Sequence, residues 1–150
     1  MEQEKISGND TEKAFCEFDV IGEVVGKGRP RFSTRSGFPR AYTPQKTVDY
    51  ENLVRVAYLE RYKTMLFEKG ALQMVIDAYF RVPSSLSQAK QQRWVLLESP
   101  TKKPDADNIL KSIADALNGI AYKDDSQITE VLVRKHWSFI DKAHIKISFK

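Results

Sequence analysis

A chain of 150 residues is long enough for one hydrophobic core but not for two independent ones, so a single domain is expected. With 41% hydrophobic and 29% charged residues the composition is globular, no apolar run approaches the eighteen or so residues that cross a bilayer, and the N-terminus has no signal-peptide character, which points to a cytoplasmic protein without membrane partners. The net charge of +4 permits a polyanionic partner without demanding one, and the single cysteine, Cys16, excludes an internal disulfide and a cysteine zinc cluster.

In chain order, residues 1–13 are polar and read as a disordered tail. Phe15 to Val25 is β-rich and predicts a first strand ending near Gly26, with Cys16 between Phe15 and Phe18 as core filler. Residues 26–46 hold Lys27, Arg29, Arg31, Arg35, Arg40 and Lys46, no acidic residue, three prolines and three glycines. Nothing there packs a core, and composition alone describes a solvated mobile loop. The interleaved Phe32, Phe38 and Tyr42 add a nucleic-acid reading, since arginines neutralise phosphates while aromatic rings stack on unpaired bases. The two readings are compatible, and Lys27, Arg29, Arg31, Arg35 and Arg40 are the candidate DNA contacts.

Pro44 suits the start of a helix, and Tyr50, Leu53, Val54, Ala57 and Tyr58 follow at helical spacing to about Tyr62, as a core-facing stripe. Leu72 to Val82 alternates strictly and is the clearest strand; Asp77 on its polar side reads as a surface residue opposite Arg81. Ser87 is a helix cap, with Trp94 and Leu97 as candidate core residues up to Glu98. Ile128 to Phe139 and His144 to Lys150 read as two strands forming a closing hairpin around a turn at residues 141–143. His136 and His144 have no Cys or His at ligand spacing and read as surface strand positions. Together these elements predict an α+β fold, a small mixed or antiparallel sheet with three or so helices.

The most unusual stretch lies between the last two predicted helix and strand segments. Residues 104–125 carry five aspartates, no glutamate and two lysines. Ile109, Leu110, Ile113, Ala114 and Leu117 recur as one helical face, Asn118-Gly119 is a helix stop, and Asp107 sits where an N-cap belongs. Asp105 lies two residues upstream; in extended backbone the two carboxylates would share a side. Asp107, Lys111 and Asp115 fall on one helical stripe. A helix over 107–117 rises about 16 Å, and residues 118–124 span at most about 23 Å. The chain can therefore return so that Asp124 or Asp125 joins Asp105 and Asp107. Carboxylates gathered this closely need protonation or a bridging cation, and hard oxygen ligands suit Mg²⁺ or Mn²⁺.

The Asp105-x-Asp107-Asn108-x-x-Lys111 run, the following Asp115-Ala116-Leu117-Asn118-Gly119 and the Asp124-Asp125-x-Gln127-Ile128 segment resemble the signature of RusA-type Holliday junction resolvases, small endodeoxyribonucleases of bacteria and prophages. Gly26-Lys27-Gly28-Arg29-Pro30-Arg31-Phe32 and Tyr42-Thr43-Pro44 are similar to that family too. The resemblance implies a RusA-like homodimer that binds four-way junction DNA and nicks two strands symmetrically with Mg²⁺ or Mn²⁺, in DNA recombination and repair. It implies metal-holding catalytic carboxylates at Asp105, Asp107 and Asp125, a further acidic position at Asp124, and a catalytic lysine at Lys111 that offsets charge building on the phosphate. The competing expectation is a non-catalytic junction-binding protein, its aspartates mere helix caps and the 26–46 loop its working part.

Overall fold

Three strands alternate in burial because each presents one face to a shared core. A computed structural model describes residues 15–150, so the expected N-terminal tail lies outside the described residues. The strands are β1 (Phe15–Ile21), then, after two short strands β2 (Arg31–Ser33) and β3 (Arg40–Tyr42), the ten-residue β4 (Leu72–Arg81), β5 (Ile128–Ser138) and β6 (Lys142–Phe149). The helices are α1 (Gln45–Tyr62), α2 (Gln88–Leu97) and α3 (Ala106–Leu117). The main sheet has the order β1-β6-β4-β5, with β4 and β5 parallel and the other pairs antiparallel; β2 and β3 form a separate two-stranded ribbon. The α+β expectation holds, with a mixed sheet.

Cys16, Phe18 and Val20 of β1, Met74, Ile76 and Ala78 of β4, and Ile145 and Ile147 of β6 pack with Tyr50, Val54 and Tyr58 of α1 and with Ile109, Ile113 and Leu117 of α3 in one core. Burial pushes the Cys16 thiol up to about 12, so it stays protonated and inert, as filler should. Two residues expected inside are not: Leu97 is 74% exposed, and Leu53 is partly exposed because it falls just off the buried face of α1. α2 has no fully buried residue and leans on β5 through Trp94.

The predicted closing hairpin is not one, because β4 lies between β5 and β6. Residues 139–141 cross the end of β4, where the Arg81 N–H donates to Asp141 Oδ1 (2.9 Å) and the Gly22 N–H to the Asp141 carbonyl (3.0 Å). Two strand spacings are about 9.5 Å, within reach of a three-residue link, so a short gap in sequence does not imply strand pairing. β4 and β5 can be parallel because the connection through α2 and α3 is long enough to carry the chain back.

The sheet face away from the core carries a cross-strand row in which Asp19 stands beside His144, His144 beside Asp77, and Asp77 beside Arg134. Asp77 is therefore not a surface residue opposite Arg81. It is buried, accepts from Arg134 Nε (2.6 Å) and Nη2 (2.8 Å), and lies 2.6 Å from His136 Nε2. His144 sits between Asp19 (2.5 Å) and Glu17 (2.7 Å). Both histidines, expected as plain surface positions, are partly buried and bonded to carboxylates of neighbouring strands, a fact of register that one strand read alone does not carry.

Candidate active site

The N-cap of α3 falls two residues earlier than the sequence predicts. Asp105 is the N-cap residue, in extended backbone and without a side-chain cap bond, and Asp107 stands within the first turn, where the helix dipole favours a carboxylate. The two carboxylates consequently do not share a side as they would along an extended chain. Asp107 lines a cleft of about 480 Å³ together with Lys111, Asp115 and Asp125, while Asp105 lines the neighbouring cleft with Lys27, Lys46 and Lys103. Asn108 forms part of both walls. Among the described residues no three Asp, Glu, His or Cys side chains group tightly enough to hold an ion unaided.

Helix α3 is held firmly from below. Ile109, Ile113, Ala116 and Leu117 are fully buried, and the buried Ser112 hydroxyl donates to the Val25 carbonyl (2.8 Å). The Lys27 N–H donates to the Asn108 carbonyl (2.8 Å). A Cβ on Gly26 would lie 2.7 Å from Pro104 Cβ and 3.0 Å from Asn108 Cβ, so only glycine lets the two backbones meet there.

The return of the chain is equally specific. Tyr122 is fully buried and its hydroxyl donates to the Ala114 carbonyl (2.6 Å). Gln127 Oε1 accepts from the N–H groups of Lys123 and Asp124 (both 3.0 Å), and its amide donates to the Phe67 carbonyl (3.2 Å). Asp124 Oδ1 accepts from the Ser126 N–H (2.9 Å), completing a capping box around the short 3₁₀ turn Asp125–Gln127. Asp124 is thus spent on its own turn, and that leaves Asp125 facing the cleft. Hydrogen bonds from Ser126 hold the Asp124 carboxyl below its ordinary value. Partial desolvation, then the neighbouring Asp124 and Asp115 carboxylates, raise that of Asp125.

Lys27 is not free to meet a phosphate. Its Nζ lies 2.6 Å from Glu51 Oε1 and 3.1 Å from Asp115 Oδ2. Burial alone would depress its pKa, but the hydrogen bonds to these two carboxylates outweigh burial and raise it. Glu51 is itself buried and also faces Arg55, whose Nε donates to the Ala116 carbonyl at the end of α3 (3.0 Å). Of this network, Asp115 was visible from its helical spacing; Glu51 carried no sequence signal, because a glutamate in an otherwise ordinary helix looks like surface.

The 26–46 segment is not a featureless loop. Arg31–Ser33 and Arg40–Tyr42 pair as β2 and β3, with Arg31 opposite Tyr42 and Ser33 opposite Arg40 on one side and Phe32 opposite Ala41 on the other. Arg29, Arg31, Arg35 and Arg40 are all exposed, and Phe32 and Phe38 are about three-quarters exposed. The donor set of the acidic cleft consists of hard carboxylate oxygens. Mg²⁺ commonly takes only one or two carboxylates from the protein and completes its shell with water and phosphate oxygens. Asp107 and Asp125 fit that demand.

The described residues thus carry an acidic, lysine-bearing cleft and an exposed basic ribbon on a small α+β domain. The sequence model of endodeoxyribonuclease RusA matches residues 22–148, and the chain belongs to the RusA endodeoxyribonuclease family. It is also 37% identical over 134 residues, 87% of this chain and 93% of the relative, to the uncharacterized protein YqaN of Bacillus subtilis (strain 168). Among the described residues no helix is long and apolar enough to cross a membrane.

Proposed function

We propose that this protein resolves four-way DNA junctions by paired, symmetric nicks with Mg²⁺ or Mn²⁺, in recombination and repair. The observation that carries the reading is that Asp107, Lys111 and Asp125, distant in the chain, line one cleft, in a member of an endodeoxyribonuclease family. When bound, the divalent ion would supply Lewis-acid stabilisation and a more acidic water. Asp107 and Asp125 would hold it. Asp105, across Asn108, would orient the strand leaving the cleft and complete the acidic set once DNA is bound. Lys111 would offset charge on the phosphate oxygens as the phosphorus becomes five-coordinate. Asp124 shapes the turn that presents Asp125.

Arg29, Arg31, Arg35 and Arg40 would grip phosphates, with Phe32 and Phe38 stacking on bases unpaired at the branch. Lys27 does not join them, its ammonium being committed to Glu51 and Asp115 and its N–H to the Asn108 carbonyl. Two strands cut symmetrically need two such clefts, which a homodimer provides. The test is a synthetic four-way junction incubated with Mg²⁺ and either the natural protein or Asp107→Asn. Cleavage by the former alone, with binding by both, supports the proposal; binding without cleavage by either identifies a non-catalytic junction binder instead.

A further inference from the structure

Lys111 stands between two carboxylates of its own helix. Asp107 is four residues before it and Asp115 four residues after, the spacing at which opposite charges on a helix surface pair. Among the described residues Lys111 nevertheless forms no ion pair, although all three side chains line the acidic cleft. The cation that takes Asp115 is Lys27, whose Nζ lies 3.1 Å from Asp115 Oδ2 and 2.6 Å from Glu51 Oε1. Lys27 is fixed at both ends. Its N–H donates to the Asn108 carbonyl (2.8 Å), and the next N–H, that of Gly28, donates to Thr47 Oγ1 (3.1 Å). Its ammonium is tied to Glu51, which is buried and would otherwise keep only Arg55 Nη2, 3.6 Å away. Lys111 is exposed. Pairing with a preset cation costs Asp115 less side-chain entropy than immobilising the long, exposed chain of Lys111.

We propose that Lys27 is a positioning residue: by holding Asp115 it keeps that carboxylate from pairing with Lys111, so that the Lys111 ammonium stays open to the phosphate. This rests on the reading of Lys111 as the group that offsets charge on the phosphate oxygens. On that reading each carboxylate flanking Lys111 has a cation of its own, the divalent ion for Asp107 and Lys27 for Asp115. Lys27 also cancels the negative charge that Asp115 would otherwise bring to the cleft wall, where it would repel the phosphate. Glu51 serves by anchoring Lys27, which explains a buried carboxylate on α1 that the fold alone does not require. Lys27 thus acts on the reaction through Asp115 and Lys111, without touching DNA.

The test compares the natural chain with Lys27→Met and with Lys27→Met/Asp115→Asn on a synthetic four-way junction. Single-turnover nicking in Mg²⁺ and junction affinity are measured separately, and a crystal structure of Lys27→Met is solved. Lys27→Met should nick about tenfold more slowly while binding the junction within about threefold. Its Lys111 Nζ should lie within about 4 Å of an Asp115 oxygen. Removing the charge of Asp115 in the double variant should restore most of the lost rate, a rescue that a merely structural lysine would not show. A double variant no faster than Lys27→Met, or a Lys111 that stays apart from Asp115 in the crystal, overturns the proposal. Should Lys27→Met misfold by circular dichroism because Glu51 is left buried, Lys27→Met/Glu51→Gln replaces it, with and without Asp115→Asn, and is judged in the same way. Nicking by the natural chain without the rescue refutes the role of Lys27 only. Absence of nicking by the natural chain refutes the nuclease reading, and the Lys111–Asp115 distance in the crystal then decides alone whether Lys27 holds the two apart.

Discussion

The acidic stretch 104–128 and the basic stretch 26–46 are similar in length and built in opposite ways. In the first, α3 buries one face completely and the return loop is tied by Tyr122, Gln127 and the Asp124 cap. In the second, β2 and β3 contribute no buried residue. Groups that act on a scissile bond must be held to a fraction of an ångström by a packed scaffold, whereas a surface that grips a flexible branched polymer gains from adapting to it. On the proposed reading, chemistry would sit on the packed element and grip on the exposed one.

The sharpest break of this contrast is Asp107→Asn, which should lower junction nicking by roughly a hundredfold or more while leaving binding within about twofold, read on gels with and without Mg²⁺. Comparable losses of nicking and binding would mean that the two regions are not separable. Ile113→Ala removes fully buried atoms beneath the acidic cleft and should cost about 2–5 kcal/mol in urea unfolding. Phe32→Ala on the ribbon, by contrast, should leave unfolding unchanged and weaken junction binding by about 1–3 kcal/mol. Replacing Arg29, Arg31 and Arg35 together by alanine should flatten the salt dependence of binding by roughly two to three in slope; an unchanged slope would detach the ribbon from phosphate.

Much of this contrast was legible in the residues. The period of Ile109, Ile113 and Leu117 gave α3, and the length of 118–124 allowed Asp125 to reach the side of Asp107 and Lys111. What escaped was everything that depends on which strands are neighbours. Asp77 looked exposed because its partners, Arg134 and His136, lie on a strand 57 residues or more away. The two-residue shift of the α3 N-cap, from Asp107 to Asp105, sent the two carboxylates to different clefts, since the helical turn replaced the extended alternation. Lys27 looked like one more phosphate contact because nothing local marks Glu51 as buried.

Gln127→Ala gives a smaller, more local test. It should destabilise the fold by only about 1 kcal/mol yet reduce nicking, because the amide that fixes the turn before Asp125 is gone; unchanged nicking would show that the turn holds itself. The smallest effect concerns the sheet face remote from both regions. At His144 burial acts to lower the pKa, but its hydrogen bonds to the Asp19 and Glu17 carboxylates prevail and raise it above the ordinary value. Its contribution to stability is then complete below about pH 6.5 and is lost as pH rises through the elevated value. Thermal unfolding of the natural chain should show this decline on the alkaline side of about pH 6.5 and His144→Gln should not; a decline of the same size in both would assign it elsewhere.

The contact of Gly26 with Pro104 and Asn108 constrains how such a protein can diverge. The chain is pinned before the ribbon, where a Cβ on Gly26 would collide with Pro104, but at its crown the space around Gly37 is open and only its φ of +80° favours glycine. If the ribbon meets DNA as proposed, its reach could vary at the crown while the carboxylates of α3 keep their places.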